Sequence, residues 1–217
     1  MNDEPSPPPE EQPARPAEVV ESGPVPAGYP VLVEADRQEE YVRLLPLVKW
    51  LLLVPHYIVL FFLGIGAALV AFVAFFATLF TGRYPPGMWD FMVGVERWVL
   101  RVGAYLLLIT DEYPPFSLRE EPGDAVRLEA VYPEHVSRWR PLVAWLLIVP
   151  YMIVASLIAV VGHICAFLSF FTIIFTKRIP GDLFDVIRIS FNWQIRASFY
   201  AYWLSTEYPP FTWDEDE

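Results

Sequence analysis

Long apolar runs, separated by short polar turns, dominate the hydrophobic pattern of this chain. Residues 57–80 carry no charged side chain, and residues 142–176 carry none when His163 is neutral. Runs of eighteen or more such residues are typical of transmembrane helices. Each run is followed by a short polar turn and then by a second, less apolar helical stretch. The pattern therefore predicts a mainly α-helical integral membrane protein.

The pattern occurs twice, because residues whose numbers differ by 95 match along most of the chain. We call two such residues counterparts. They include Trp50 and Trp145, Asp90 and Asp185, Arg101 and Arg196, and the Glu-Tyr-Pro-Pro-Phe segments that begin at Glu112 and Glu207. The sequence thus indicates a tandem duplication, with membrane repeat 1 at 29–122 and membrane repeat 2 at 123–213. The flanking segments 1–28 and 214–217 are acidic, and the first is also rich in proline, which predicts disorder.

Each repeat is predicted to contain an interfacial helix followed by a two-helix transmembrane hairpin. As a single helix, residues 44–80 would be roughly 55 Å long, which exceeds a hydrocarbon core of about 30 Å. We therefore expect a break at Pro55, and likewise at Pro150, with an interfacial helix before it and one span after it. The second helices of the two hairpins are expected at about 88–110 and 183–205.

The second helix of each repeat carries a thin polar stripe on an otherwise apolar surface. On a helical wheel the stripe contains Asp90, Arg97 and Arg101 in repeat 1, and Asp185, Arg188, Asn192 and Arg196 in repeat 2. A charge at the bilayer centre costs roughly 2.5–3.5 kcal/mol, while each Leu, Ile, Val or Phe returns about 0.3–0.6 kcal/mol. The helix would insert poorly alone, so it either lies at the interface or inserts together with the preceding span. We favour four crossings in total, because two per repeat would give both repeats the same orientation, as two parallel hairpins, and would place every strand segment on one side of the membrane.

Short extended segments are predicted to open and close the repeats. The opening strands are expected at 29–34 and 126–131, where apolar residues partly alternate with polar ones. Residues 116–131 are predicted to form a hairpin that turns at 122–124, and 211–213 to form the second closing strand. Together these strands would form one small β-sheet outside the membrane.

The charge distribution limits the possible partners and orients the chain. The net charge is −11, which argues against nucleic acid as a partner, because phosphate contacts need clustered Lys and Arg. The positive-inside rule predicts that both termini lie in the cytoplasm, since most cations fall on the side of the tail, interfacial helices and linker. That side has Arg15, Arg37, Arg43, Lys49, Arg119, Arg127, Arg138 and Arg140, and the turn side has Arg83, Lys177 and Arg178.

The sequence contains no recognisable constellation for catalysis or metal binding. His56, His135 and His163 share no ligand spacing, and the single cysteine, Cys165, lies inside an apolar run. No nucleophile–base pair, phosphate loop or carboxylate dyad is recognisable either. We therefore expect no enzymatic activity, no metal and no cofactor.

The polar stripe is the best candidate for a functional site, because ionisable residues inside a membrane are costly and often mark a site. Its arginines could bind an anionic lipid headgroup or another anion. The alternative is a structural role in which the stripe holds the two second helices together, and this is the role that we favour.

Four segments resemble the prokaryotic membrane family called domain of unknown function 4389. They are Leu-Val-Pro-His-Tyr-Ile-Val-Leu (53–60), Phe-Thr-Gly-Arg-Tyr-Pro (80–85), Thr-Asp-Glu-Tyr-Pro-Pro-Phe (110–116) and Val-Tyr-Pro-Glu-His-Val-Ser-Arg-Trp (131–139). The resemblance covers both repeats and implies a bacterial or archaeal integral membrane protein, but the family supplies no activity. Repeat 1 departs from the family at 35–40, where Ala-Asp-Arg-Gln-Glu-Glu stands in place of the Tyr-Pro-Glu-His-Val-Ser of repeat 2.

The expected function is that of a non-enzymatic accessory or scaffold protein of the prokaryotic inner membrane, because a broad apolar surface comes without reaction chemistry. Its partners would be membrane lipids, together with another membrane protein or further copies of the chain. The alternative is a lipid or small-anion binding or transport protein, with its site between the repeats at the polar stripe.

Overall fold

The computed structural model describes residues 28–212, and within that range it has six helices and two strands. They are β1 (Val31–Ala35), α1 (Leu45–Leu52), α2 (Val54–Thr81), α3 (Pro86–Leu106), β2 (Val126–Ala130), α4 (Arg140–Leu147), α5 (Val149–Thr176) and α6 (Gly181–Ala201). Both repeats have the same order of elements, namely one strand followed by three helices. The predictions made for residues 1–27 and 213–217 lie outside the described residues.

A proline separates the short helix from the long helix in each repeat. Pro55 and Pro150 stand in the first turns of α2 and α5. A proline has no N–H to donate, so it fits the first turn of a helix and interrupts a continuous one. Leu53 and Ile148, which lie between the helices, keep φ values of −82° and −76°. The chain therefore bends at the predicted positions while staying close to helical geometry.

Two helical stretches of the described chain, 45–81 and 149–176, are long and apolar enough to cross a membrane. Large side chains such as Phe61 and Phe167 are exposed along them. The other two long helices, α3 and α6, are not among these candidate spans, and many of their residues are buried inside the protein. The expectation of two membrane-spanning helices per repeat thus has support, by length and composition, for one helix of each.

The two repeats meet through α3 and α6, which are antiparallel. The indole N–H of Trp89, near the start of α3, donates to Leu204 O just beyond the end of α6 at 3.0 Å. Further along α3, Glu96 is hydrogen-bonded to Ser198. A Cβ atom added to Gly103, near the end of α3, would lie 2.9 Å from the Phe191 ring. The three contacts therefore show that α3 and α6 run in opposite directions.

This packing contradicts the predicted arrangement of two parallel hairpins. The turn after α2 lies at one end of the molecule, where Tyr84 contacts the Trp203 ring beyond α6. The turn after α5 lies at the other end. There, Tyr41 donates its backbone N–H to Lys177 O and its hydroxyl to Ile109 O, beyond the end of α3. The repeats are consequently inverted with respect to each other.

The two strands form an antiparallel ribbon in which each strand comes from a different repeat. Val33 pairs with Leu128, its own counterpart. Antiparallel pairing of equivalent residues places a pseudo-twofold axis at the centre of the ribbon, and this axis relates the inverted repeats. The side chains of Val31, Val33, Val126 and Leu128 are buried against the helices, as the period of two in a half-buried strand requires.

Two predictions about the sheet are wrong. Residues 116–119 and 211–212 form no strand, and β2 pairs with β1 rather than within a 116–131 hairpin. The segment after α3 packs on that helix instead. The backbone of Leu118 comes so close that a Cβ atom on Gly94 would lie 2.8 Å from its carbonyl oxygen. Only a residue without a side chain permits this approach of 116–119 to α3.

Candidate functional site

The polar stripe of α3 and α6 faces the ribbon rather than the neighbouring helix. In repeat 1, Arg97 Nε donates to Leu128 O of β2 at 3.3 Å. In repeat 2, the side chain of Asn192, the counterpart of Arg97, accepts from the N–H of Val33 at 3.0 Å and donates to its carbonyl at 3.3 Å. Two counterpart positions in the middle of the helices thus hold the two strands at their pairing centre.

Arg101 joins α3 to the segment that leads into β2. Its Nη2 donates to the carbonyl oxygens of Ser117 and Arg119 at 2.8 and 2.9 Å. Its Nη1 lies 3.4 Å from Asp124 Oδ2, and the arginine side chain is only 6 % exposed. Burial lowers the pKa of Arg101, and the carboxylate of Asp124 opposes that shift. This arginine therefore has a charge partner and two backbone acceptors.

Arg196, the counterpart of Arg101, has different surroundings. Its Nε donates to Val31 O at 3.4 Å, and its guanidinium lies over the ring of Tyr29, with Cζ 5.4 Å from the centroid. Within residues 28–212, Arg196 forms no ion pair. The two repeats therefore use this position differently, as one arm of an ion pair in the first and as a cation beside an aromatic ring in the second.

The remaining stripe residues lie outside these contacts. Asp90 and Asp185 are exposed near the starts of α3 and α6, and Arg188 is half-buried. The structure thus places the middle of each stripe under the ribbon and leaves the two aspartates at the surface.

The contact between α3 and α6, which the sequence suggested for the stripe, is made by other residues. Glu96, which lies off the stripe, is hydrogen-bonded to Ser198, and burial raises the pKa of its carboxyl to about 7. Gly103 allows the Phe191 ring to approach the helix axis. The stripe therefore has structural partners other than the ones we expected, while its binding of an anion stays a prediction.

Each Tyr-Pro-Pro-Phe segment folds back onto the break between the short and long helices of its own repeat. The hydroxyl of Tyr113 donates to Leu52 O at 3.1 Å, and the hydroxyl of Tyr208 donates to Leu147 O at 3.4 Å. The last carbonyl groups of a helix have no partner within the helix, so the tyrosines supply one at the ends of α1 and α4. The recurrence of this segment in both repeats was the signal for this role.

The phenylalanine of the same segment completes an aromatic cluster in each repeat. In repeat 1, Phe116 stacks on His56 with ring centroids 3.9 Å apart, and Trp98 Nε1 donates to His56 Nδ1 at 2.9 Å. In repeat 2, Tyr151 takes the place of His56 and stacks on Trp193 at 4.7 Å. His56 is therefore part of the packing. Across the described residues, no group of three His, Cys, Asp or Glu side chains could hold a metal ion.

Sequence reasoning missed a cation that lies over an equivalent tyrosine in each repeat. Lys49 lies 4.5 Å from the ring centroid of Tyr105, and its Nζ is 2.8 Å from Asp111 Oδ1. Arg140 lies 4.7 Å from the ring centroid of Tyr200, the counterpart of Tyr105. The two cations come from positions that are not counterparts, so the repeat alignment could reveal only the recurring tyrosine.

These features define a duplicated helical protein in which each repeat has a short helix, a long apolar helix and a second helix that ends in Tyr-Pro-Pro-Phe. The sequence model of a family described as Domain of unknown function (DUF4389) matches residues 45–117 and again 138–212. The chain therefore belongs to this family and contains two tandem copies, as the resemblance indicated. Each match runs from the short helix to the Tyr-Pro-Pro-Phe segment and excludes the ribbon strands. No curated protein and no solved structure matches the chain.

The contacts of Arg101 predict a large effect of its removal. Arg101→Gln should lower the free energy of unfolding by about 3–5 kcal/mol, because it leaves the largely buried Asp124 unpaired. Arg127→Gln is the matched control, since Arg127 also contacts two carboxylates, Glu34 and Asp36, which are far more exposed. Arg127 holds the pKa of Asp36 below its usual value, but surface pairs of this kind are worth only about 0–1 kcal/mol.

The measurement is denaturant unfolding of both variants in detergent, followed by circular dichroism. A loss at Arg101 no greater than the loss at Arg127 would contradict the role given to the stripe.

Proposed function

We propose that the protein is a non-enzymatic scaffold or accessory protein of a prokaryotic cytoplasmic membrane. It is held by lipid through its long apolar helices, and it associates with another membrane protein or with further copies of itself. The observation that carries this proposal is the exposed apolar surface of residues 45–81. Within this stretch, only 6 % of the apolar 18-residue segment is buried inside the protein.

The exposed side chains favour a lipid environment over water. Phe61 and Phe72 of α2 are 66 % and 64 % exposed, and Phe167 and Phe175 of α5 are 64 % and 74 % exposed. Soluble monomers rarely expose contiguous apolar patches larger than a few hundred Å². The short helices also expose tryptophans, which favour the boundary between hydrocarbon and headgroups. Lipid contact therefore accounts for both the long and the short helices.

The ribbon argues against four crossings of an isolated chain. It has two open edges, and exposed carboxylates such as Asp36 and Glu129 lie on it or beside it. Open sheet edges exposed to lipid do not occur within the hydrocarbon region. Because the ribbon lies beside the middle of α3 and α6, these helices would carry it into the bilayer if they crossed. We therefore place α3 and α6 along the membrane surface, with the ribbon toward water and α2 and α5 toward the hydrocarbon.

Anion transport along the stripe has less support. Arg97 and Arg101 already donate to backbone carbonyls, and Arg101 is paired with Asp124. These bonds would have to be broken before the arginines could receive a moving ion. The contacts favour a static role for this part of the protein.

The scaffold role predicts association in the native membrane. Purification in mild detergent after chemical cross-linking should yield either more than one copy of the chain or a second membrane protein in a fixed ratio. The physical reason is that the apolar surface exceeds what the chain buries for itself. Recovery of a monomer with only lipid bound, at every cross-linker concentration, would contradict this role.

The proposed orientation predicts which side of the membrane each turn faces. Single cysteines replace Arg83, Lys177 and Glu129 in a Cys165→Ala background, and sealed vesicles of both orientations are treated with a membrane-impermeant maleimide. All three cysteines should react from the same side, because the helices lie along one surface. A cysteine at Phe61 should react only after detergent is added.

Other outcomes identify other arrangements. If the cysteines at 83 and 177 react from opposite sides, α2 and α5 cross the bilayer and the ribbon faces the interior of an oligomer. If those two react together, on the side opposite to the cysteine at 129, the result supports the arrangement expected from the sequence, in which two parallel hairpins make four crossings. Either result would overturn the proposed orientation.

A further inference from the structure

Two arginines of repeat 2 lie in one largely buried aromatic site without an acidic partner. Arg140 lies over the ring of Tyr200, and Arg196 lies over the ring of Tyr29. The Tyr29 hydroxyl donates to Glu207 O at 3.3 Å, and the ring of the next residue, Tyr208, lies 5.1 Å from the Tyr200 ring, so both arginines border one aromatic cluster. Within residues 28–212, neither arginine forms an ion pair. Glu207 is the described carboxylate that also acts on Tyr29, but it is exposed and lies within ion-pair distance of neither arginine.

Two polar atoms at this site have no hydrogen-bond partner among the described residues. They are Nε of Arg140 and the hydroxyl of Tyr151. Tyr151 is 0 % exposed, and its ring belongs to the same cluster, with its centroid 6.2 Å from that of Tyr208. Buried polar atoms in folded proteins are nearly always hydrogen-bonded, so an atom without a partner indicates a bound water, ion or ligand. Arg140 Nε can only donate and the tyrosine hydroxyl can donate, so a single acceptor would satisfy both atoms.

Repeat 1 pairs each of the corresponding cations with a carboxylate. There Lys49 lies over the equivalent tyrosine and is paired with Asp111 at 2.8 Å, and Arg101 is paired with Asp124 at 3.4 Å. The counterpart of Asp111 is Thr206, and Asp124 has no counterpart among the described residues. Repeat 2 thus keeps the two cations of the site but has neither carboxylate in the described chain.

We propose that repeat 2 binds an oxyanion, a carboxylate or a phosphate, between Arg140 and Arg196, with the Tyr151 hydroxyl as a neutral donor. Guanidinium groups bind both oxyanions through charge-assisted hydrogen bonds. A buried guanidinium without a partner is costly, so the bound anion stabilises the folded chain. Lipid phosphate is one source of this chemistry. The other is the carboxylates that follow in the same chain, at Asp214, Glu215, Asp216 and Glu217.

The test measures the melting temperature of the full chain in neutral detergent, with phosphatidylglycerol or with phosphate-free diacylglycerol. It compares the wild type with a variant whose four final carboxylates become amides (D214N, E215Q, D216N and E217Q). Arg140→Gln removes one cation of the site. Arg127→Gln, which removes a charge from the exposed ribbon surface, is the control.

If the chain supplies the anion, the amide variant melts lower than the wild type by roughly 3 °C or more. Phosphatidylglycerol then restores the melting temperature of the amide variant, and diacylglycerol does not. If lipid supplies the anion, the amide variant melts at the same temperature as the wild type. Phosphatidylglycerol then raises both melting temperatures by a similar amount. In each case Arg140→Gln loses the stabilisation that the anion provides, and Arg127→Gln keeps it.

The proposal is overturned if neither the amide substitutions nor phosphatidylglycerol moves the melting temperature by more than diacylglycerol does. It is also overturned if Arg140→Gln responds as fully as Arg127→Gln. Should Arg140→Gln fail to fold, the comparison between the wild type and the amide variant still decides the matter.

Discussion

The structure depends on the hydrogen bonds that join two equivalent strands and attach them to the helices beneath. A ribbon with two open edges needs partners for its backbone groups, and Arg97, Asn192 and Arg196 provide them from the helices. Because Val33 pairs with its own counterpart, Leu128, the same bonds invert one repeat against the other. The polar stripe in otherwise apolar helices follows from this single constraint, and so does the proposed place of the ribbon at the water side of a membrane.

The local features of the fold could be predicted from the sequence because short-range physics determines them. Pro55 and Pro150 interrupt their helices wherever those helices lie, and a long apolar run has few alternatives to a helix. The direction of packing could not be predicted, because the Val33–Leu128 pairing links residues that are distant in the chain and depends on tertiary contacts. The predicted 116–131 hairpin was wrong for a related reason, since 116–119 packs closely on α3 at Gly94, a tertiary contact that local strand propensity does not reveal.

The candidate site, too, could be predicted from the sequence only in part. Helical periodicity identified Arg97, Arg101, Asn192 and Arg196 as one stripe, but it could not say what the stripe would face. The cations over Tyr105 and Tyr200 were beyond reach, because Lys49 and Arg140 occupy different positions in their repeats. This divergence matters for function. Within residues 28–212, one repeat pairs these cations with carboxylates and the other does not, so the duplicated halves are chemically unequal.

The inverted packing of the repeats is the central claim, and a distance between the two turns tests it directly. Spin labels at Arg83→Cys and Lys177→Cys, in a Cys165→Ala background, would be measured by double electron–electron resonance in detergent. Because α3 and α6 are each 21 residues long, turns at their opposite ends should be roughly 30 Å or more apart. A distance of about 10–15 Å, which neighbouring parallel hairpins would give, would contradict the account.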